Sequence, residues 1–320
     1  MNYIAWFDEL PDENLGLIAG GKGASLSKMF KGGFPVPEGF VCCSEMFQAF
    51  MEANKLYDTV YEKLDAIDWS SNASLAAAGE AIRKIVSEAP MPADMEKLLR
   101  DEYKKLGERQ PVAVRSSGTA EDLDDASFAG QQETFLYVIG EDEVVKYVRD
   151  CWASLYNDSA IFYRREHKFD EREISIAVVV MRMVNSEKAG VMFSVNPINK
   201  KTNEVTIEAA WGLGEGVVQG IVNPDNLVVT KDEYKYIRKH VPAKEIKVIR
   251  ASERGGSKIV KIEDESRTAP VLTDDQVKQL VDLAVKAETF YGKPQDLEWA
   301  YDIDNGKMYL LQSRPITTLG

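Results

Sequence analysis

Pro111-Val-Ala-Val-Arg-Ser-Ser-Gly-Thr-Ala-Glu-Asp-Leu-Asp-Asp-Ala-Ser-Phe-Ala-Gly-Gln-Gln-Glu-Thr134 opens as an apolar strand and runs into an arginine, two hydroxyls and a glycine. A core strand that delivers Arg115, Ser116 and bare backbone amides to one loop suits a polyanion. The guanidinium is a planar fork of donors matched to phosphate oxygens, and glycine lets backbone come close. An acidic stretch and a second small-residue turn, Phe128-Ala-Gly-Gln-Gln-Glu-Thr134, follow. The competing reading is an ordinary strand followed by a surface loop, because isolated loop motifs are weak signals.

A second glycine-rich element lies upstream, Ile18-Ala-Gly-Gly-Lys-Gly-Ala-Ser-Leu-Ser-Lys-Met-Phe30. Ala24, Leu26, Lys28 and Met29 favour helix, and Gly32-Gly33 stops it. Gly20 and Gly21 therefore open a helix whose first amides attract anions, and Lys22 sits where its ammonium can reach a phosphate.

Between these elements the pattern predicts helices in three pieces over 44–106. Ser44 is expected to cap the first and Pro92 to open the third. One long helix is expected over about 141–167, buried through Val144, Val145, Val148, Cys151, Trp152 and Leu155. Strands are expected near 174–184, 189–195, 204–210 and 226–230. The polar 235–270 region carries two short candidates, at 247–249 and 259–262. A helix from Thr273 to about Tyr291 has a capping box at its start and Gly292 at its end.

The last two strands, about 296–301 and 307–313, admit a geometric argument. A three-residue loop Asp304-Asn-Gly306 with glycine left-handed is a favoured connection. It sets Glu298 opposite Gln312 and Asp296 opposite Arg314, all four on one face, with Leu297, Trp299, Tyr301, Tyr309 and Leu311 on the other. A carboxylate and an amide oxygen suit Mg²⁺, which takes few protein ligands and fills its shell with phosphates and water. Arg314 is then placed to stabilise charge on a transferring phosphoryl group. A two-residue Asn305-Gly306 turn would instead set Glu298 opposite Ser313. A solvated face with one cross-strand ion pair is the plainer alternative.

The chain has 320 residues, enough for about two domains or subdomains. Net charge is −13, which disfavours nucleic acid as a partner. No apolar run approaches the roughly 18–20 residues of a membrane span, and no signal peptide is evident. Three cysteines, two of them adjacent at Cys42 and Cys43, make a disulfide framework and a zinc site poor expectations. A cytoplasmic setting is expected.

Gly20-Gly-Lys-Gly-Ala24 with Pro35-Val-Pro-Glu-Gly-Phe40 resembles the opening of the ATP-binding domain shared by phosphoenolpyruvate synthase, pyruvate phosphate dikinase and rifampicin phosphotransferase. The resemblance continues through Val114-Arg-Ser-Ser-Gly-Thr-Ala-Glu-Asp-Leu123, Ala126–Thr134, Trp211-Gly-Leu-Gly-Glu215, Val222-Asn-Pro-Asp225, Asp296-Leu-Glu-Trp-Ala300 and Leu311-Gln-Ser-Arg-Pro315. It covers essentially the whole chain.

The resemblance implies an α+β, ATP-grasp-like fold of two lobes, with mixed or antiparallel sheets and packed helices. The lobes would be 1–186 and 187–320, the second carrying the metal-binding hairpin. It implies ATP and Mg²⁺ as cofactors. Lys22, Arg115 and Arg314 would be catalytic. Gly20, Gly21, Ser116, Asp296 and a phosphate loop containing Gly130 and Thr134 would line the nucleotide, and Glu298 and Gln312 would ligate the metal. Adenine would lie near Met181 and Met183, where the family often has glutamine in a Val-Val-Val-Gln pattern.

In full-length relatives the β-phosphoryl moves to a histidine on a separate domain and then to an acceptor bound by a third. His167 and His240 lie in polar runs unlike the Thr-x-Ser-His-Ala setting the family uses. The chain therefore reads as the ATP module of a pyruvate, water dikinase-like enzyme. It would need a phosphohistidine domain and an acceptor-binding domain in cis or in trans. Val217-Val-Gln-Gly220 leans toward the synthase. The alternatives are a rifampicin phosphotransferase-like module and a non-catalytic nucleotide-binding subunit. A P-loop is disfavoured because Gly23 stands where Ser or Thr should bind the metal and no strand ends in a Walker-B aspartate. A dinucleotide fingerprint fails at Val217.

Overall fold

The computed structural model describes residues 3–119, 133–169, 174–252 and 255–316. The chain forms two compact units, Met1–Ser27 with Glu38–Met183, and Lys28–Pro37 with Val184–Gly320.

The first unit begins with β1 (Ile4–Trp6), α1 (Leu15–Lys31, of which Lys28 onward belongs to the second unit) and β2 (Gly39–Cys42). Helices α2 (Ser44–Ala53), α3 (Leu56–Asp65), α4 (Asn72–Glu88) and α5 (Ala93–Leu106) follow. Then come β3 (Val112–Gly118), β4 (Thr134–Val138), α6 (Glu141–Ala153), α7 (Asp158–Glu166) and β5 (Ile176–Arg182). The strands make a sheet in the order β1-β2-β5-β3-β4, antiparallel at every pair. Alternation puts Phe40, Cys42, Val112, Val114, Val178 and Val180 on one face. They are buried with Met46, Phe47, Phe50, Ile82, Leu99, Val148 and Trp152 from the helices. Each such fully buried large side chain contributes roughly 1.5–3 kcal/mol relative to exposure.

The helical region departs from expectation twice, each time for a backbone reason. A fourth helix, α3, separates from α2 because Lys55 adopts left-handed dihedrals (φ 53, ψ 41). The long helix over 141–167 is broken by a 3₁₀ turn at Ser154–Tyr156 and by extended Asn157, giving α6 and α7. Cys43, not Ser44, occupies the cap of α2; the Ser44 hydroxyl donates instead to the Leu17 carbonyl at 2.6 Å.

The second unit comprises β6 (Ser186–Phe193), β7 (Glu204–Trp211), the single turn α8 (Glu215–Val218), β8 (Asp225–Thr230), β9 (Tyr236–His240), β10 (Ile246–Ser252), β11 (Gly255–Lys261), α9 (Asp274–Tyr291), β12 (Gln295–Asp302) and β13 (Met308–Pro315). Its main sheet runs β13-β12-β6-β7-β8-β9, antiparallel throughout, and β10 pairs with β11 as a separate ribbon. The ribbon extends both short strands expected in the polar region, and β9 is an element the polar sequence did not disclose.

Helix α9 packs against β12 and β6, burying Val277, Leu280, Val281, Ala284 and Ala287. Thr273 caps it in a complete capping box, and left-handed Gly292 ends it. The excursion Lys28–Pro37 docks on this unit. Phe34 meets Phe290 edge-on with centroids 5.4 Å apart, Lys286 donates to the Gly33 carbonyl at 2.7 Å, and Leu310 N–H donates to Pro35 O at 2.8 Å.

A fully buried ion pair ties the strand end at Asp225 to the chain after β9. Lys244 Nζ lies 2.6 Å from Asp225 Oδ1, and the other carboxylate oxygen accepts from Val271 N–H at 2.7 Å. Lys244→Ala leaves that carboxylate buried without its cation and should cost about 3–5 kcal/mol in a urea unfolding titration. Asp225→Ala/Lys244→Ala should lose less than the sum of the two single variants.

Candidate functional site

In the first unit the site is built where α1 crosses β3. The helix does not run straight: Gly20 has φ 67 and ψ 174, a left-handed break that glycine tolerates. A β-carbon there would lie 2.2 Å from the Ser117 carbonyl oxygen and 2.3 Å from its hydroxyl, so helix and strand are in backbone contact. Gly23 continues this close approach, since a β-carbon there would lie 3.2 Å from Val41 and 3.6 Å from Val179. The small residues of Ala19-Gly-Gly-Lys-Gly-Ala24 thus admit α1 to the sheet face opposite the helical core.

That face carries charge. Arg115 pairs with Thr134 on β4 and Val179 on β5, and antiparallel partners directly opposed share a face. Met181 lies on the same face, between Ala113 and Gly39. Lys22 and Arg115 are both buried, as is Met181, while Thr134 is exposed. Lys22 Nζ donates to the Ser116 carbonyl at 2.9 Å. The Ser116 side chain points to the other face, where its hydroxyl is bonded to the backbone of Glu133 at both N–H (2.9 Å) and carbonyl (3.2 Å). Gly21 is half-buried beside Lys22. Met183 lies just past the end of β5, with its amide donating to Pro111 O at 2.9 Å. Gly130 lies outside the described residues.

The interior of this unit also holds three free thiols, Cys42, Cys43 and Cys151. Burial pushes all three up; Cys43 reaches about 12, and the Lys22 ammonium pulls against the rise at Cys151.

In the second unit, Glu298 stands opposite Gln312 and Asp296 opposite Arg314. The expected pairing is reached by an unexpected route. The turn has four residues, 303–306, with Asp302 N–H bonded to the Lys307 carbonyl and Gly306 left-handed at φ 68. This shifts the outer half of the hairpin by one residue, and a bulge between Glu298 and Trp299 shifts it back. The bulge exchanges faces on β13. Leu310 and Met308 pair with Trp299 and Tyr301, while Tyr309 and Leu311 pack with Ala300, Ala189 and Val184. The assignment of Tyr309 and Leu311 to the Trp299 face is corrected accordingly. Arg314 Nε donates to Asp296 Oδ2 at 2.7 Å. Glu298 and Gln312 are half-buried neighbours in the middle of the pair.

The four hairpin residues thus meet within one unit, and Lys22, Arg115, Thr134 and Met181 gather about one sheet face within the other. His167 is exposed and stacks on Tyr163 with centroids 3.9 Å apart, and His240 is exposed on β9. Among the described residues no group of three or more His, Cys, Asp or Glu is arranged to hold a metal, and no helix is long and apolar enough to cross a membrane. Two participants escaped the sequence reading. Ser117 bonds α1, and Glu133 fixes Ser116 through its backbone. Only their adjacency to Arg115 and Thr134 could have drawn attention to them.

The family described as pyruvate phosphate dikinase, AMP/ATP-binding domain, matches residues 17–320. The chain belongs to this family. It is 47% identical over 324 residues to the probable phosphoenolpyruvate synthase of Methanocaldococcus jannaschii, covering 100% of this chain and 27% of that protein. Against the phosphoenolpyruvate synthases of Pyrococcus furiosus and Escherichia coli K12 the identities are 41% and 40%. They cover 99% and 98% of this chain and 44% and 42% of the relatives. The chain thus spans less than half the length of these three relatives. Among solved structures, D-alanyl-alanine synthetase A from Vibrio cholerae aligns with 93% of this chain and 55% of its own at 10% identity and a TM-score of 0.31, too slight a likeness to define a fold.

In this pyruvate phosphate dikinase-type ATP-binding domain the Gly20 contact should tolerate no side chain. Gly20→Ala should destabilise the first unit by more than the roughly 1–3 kcal/mol of a strained left-handed residue. Gly33 has the same φ of 67, yet a β-carbon there would meet only Lys286 Nζ, at 4.0 Å. Gly33→Ala should therefore lose the dihedral term alone, and the gap between the two variants in urea melts measures the close approach.

Proposed function

We propose that the chain is the Mg-ATP-binding phosphotransfer module of a phosphoenolpyruvate synthase (pyruvate, water dikinase)-like enzyme. It has an ATP-grasp-like fold with lobes 1–186 and 187–320, and it donates the ATP β-phosphoryl to a histidine on a separate domain or chain. The observation that carries this reading is the pair of buried cations at the α1–β3 crossing. Lys22 and Arg115 sit beside a helix break at Gly20 that brings the helix backbone against the strand. A buried ammonium and guanidinium in a protein of net charge −13 form a local concentration of positive potential, the requirement for a polyphosphate in an acidic chain.

In this reading Lys22 and Arg115 hold phosphate oxygens, with Gly20, Gly21, Gly130 and Thr134 about the phosphates. The Ser116 hydroxyl, expected to join them, is committed to the Glu133 backbone on the other face, and Ser116 contributes only the carbonyl that receives the Lys22 ammonium. Met181 and Met183 flank adenine, where apolar walls and strand-end backbone groups suffice for recognition. Glu298 and Gln312 hold Mg²⁺. Their chemistry fits, since a directly opposed carboxylate and amide oxygen give a hard cation two ligands and leave the remainder to phosphate and water. When bound, the ion neutralises charge on the phosphoryl being transferred. Asp296 holds the Arg314 guanidinium in position, and Arg314 stabilises charge on the equatorial oxygens. The phosphohistidine and acceptor-binding domains act in cis or in trans, and the buried free thiols suit a reducing cytoplasm.

Lys22→Ala should raise the Kd for Mg-ATP by about 10- to 150-fold, the equivalent of roughly 1.5–3 kcal/mol for a charged hydrogen bond. Calorimetric titration checks it, and an unchanged Kd would remove Lys22 from the site. Supplied in trans with a family phosphohistidine domain and β-labelled ATP, the chain should transfer label to the histidine, and Arg314→Ala should slow that step more than it weakens ATP binding. Tight ATP binding with no label on the histidine would favour a binding-only subunit.

A further inference from the structure

Lys22 does not hold its own position. It stands two residues after the Gly20 break, and the backbone there departs from helical geometry before resuming. A side chain on such a restart points wherever the restart is anchored. The anchor is Ser117. Its hydroxyl donates to the Ala19 carbonyl at 2.8 Å, on the near side of the break, and accepts from the Gly23 amide at 3.1 Å, on the far side. One fully buried oxygen therefore bridges both ends of the Ala19–Gly23 segment. It satisfies an acceptor freed where the helix ends and a donor freed where it resumes, the two kinds of group that a helix terminus leaves orphaned. The cap comes from a residue 94 positions away from the amide it serves, across the close approach that Gly20 permits.

The same strand turn fixes the lysine tip. Lys22 Nζ is bonded to the carbonyl of Ser116, the residue immediately before the anchor, and Arg115 precedes that. The anchor, the carbonyl that receives the ammonium and the arginine are thus three consecutive residues of β3. Displacing the restart by a fraction of an ångström would move the lysine relative to Arg115 while leaving the sheet and its helical core intact.

We infer that Ser117 is a positioning residue, a buried bridge across the Gly20 break that sets Lys22 in register with Arg115 for gripping the phosphates of a nucleotide. The inference rests on the ATP-binding reading above and adds to it a residue that touches no ligand. Its chemistry predicts that losing the hydroxyl weakens the grip on phosphates and leaves the grip on the nucleoside alone.

A matched control exists on the same helix. Ser27 is equally buried, and its hydroxyl donates to the Phe7 carbonyl at 2.6 Å, away from the break. Ser117→Ala and Ser27→Ala each remove one buried serine hydroxyl, and both should lower the midpoint of thermal unfolding. Only Ser117→Ala should weaken Mg-ATP binding, by about tenfold on the scale of one misplaced charged hydrogen bond. Its affinity for adenosine, which has no phosphate, should match that of the wild-type chain. If Ser117→Ala binds Mg-ATP as tightly as Ser27→Ala does, or loses adenosine and ATP affinity equally, the positioning role is overturned and Ser117 is structural. Failure of the wild-type chain to bind Mg-ATP would overturn the functional reading itself and this inference with it.

Discussion

The placing of the buried cations in the first unit depends on how near α1 comes to β3. Helices usually stand off a sheet by the thickness of two side-chain layers, and here that layer is missing. Gly20 faces the backbone of Ser117, and Gly23 faces the methyl groups of Val41 and Val179. Contact at backbone distance lets a strand hydroxyl bond the helix main chain and lets the Lys22 ammonium reach a strand carbonyl. The Lys22 ammonium is thereby tied to the strand that carries Arg115. Preorganised charge costs little further reordering when an anion arrives.

The second unit solves a different problem. Its hairpin must bring a carboxylate, an amide and an arginine into adjoining positions while keeping Trp299 and Leu310 in the core under α9. A hairpin without irregularity can satisfy one of these demands by its turn and must then accept the consequence for the other. The bulge at Glu298/Trp299 decouples them. Between the bulge and the turn the register serves the core, and on the side away from the turn it serves the polar pairs. Bulges next to sites commonly re-aim side chains in this way.

Much of this was legible in the chain, and what was not has identifiable causes. The capping box at Thr273, the Gly292 stop and the buried Val178–Met181 run are strong local signals, and the elements stand where expected. The pairing of Glu298 with Gln312 was also inferred, although from a turn one residue too short whose error the bulge cancels. What local pattern could not supply is non-local. The left-handed Lys55 and the strand β9 have no propensity signature, and the cap residue Asn157 is overridden in a local reading by the apolar stripe that runs up to it. Ser117 looks like any second serine in a polar strand end until Gly20 is found against it. Val222-Asn-Pro-Asp225 entered only as a stretch carrying the family resemblance, yet the Asp225 carboxylate is committed to Lys244 and to the Val271 amide.

The segment Lys28–Pro37 has a consequence for how this protein can be divided. The polypeptide leaves one compact unit at Ser27, contributes a short stretch to the other, returns at Glu38 and departs again after Met183. No single cut in the gene separates the halves. A fragment ending near residue 186 would carry Phe34 and Pro35 away from Phe290 and the Leu310 amide, and its counterpart would be left with that bare patch. Recombination at one junction, in the laboratory or in evolution, therefore exchanges broken pieces. The two units are inherited as an interleaved pair.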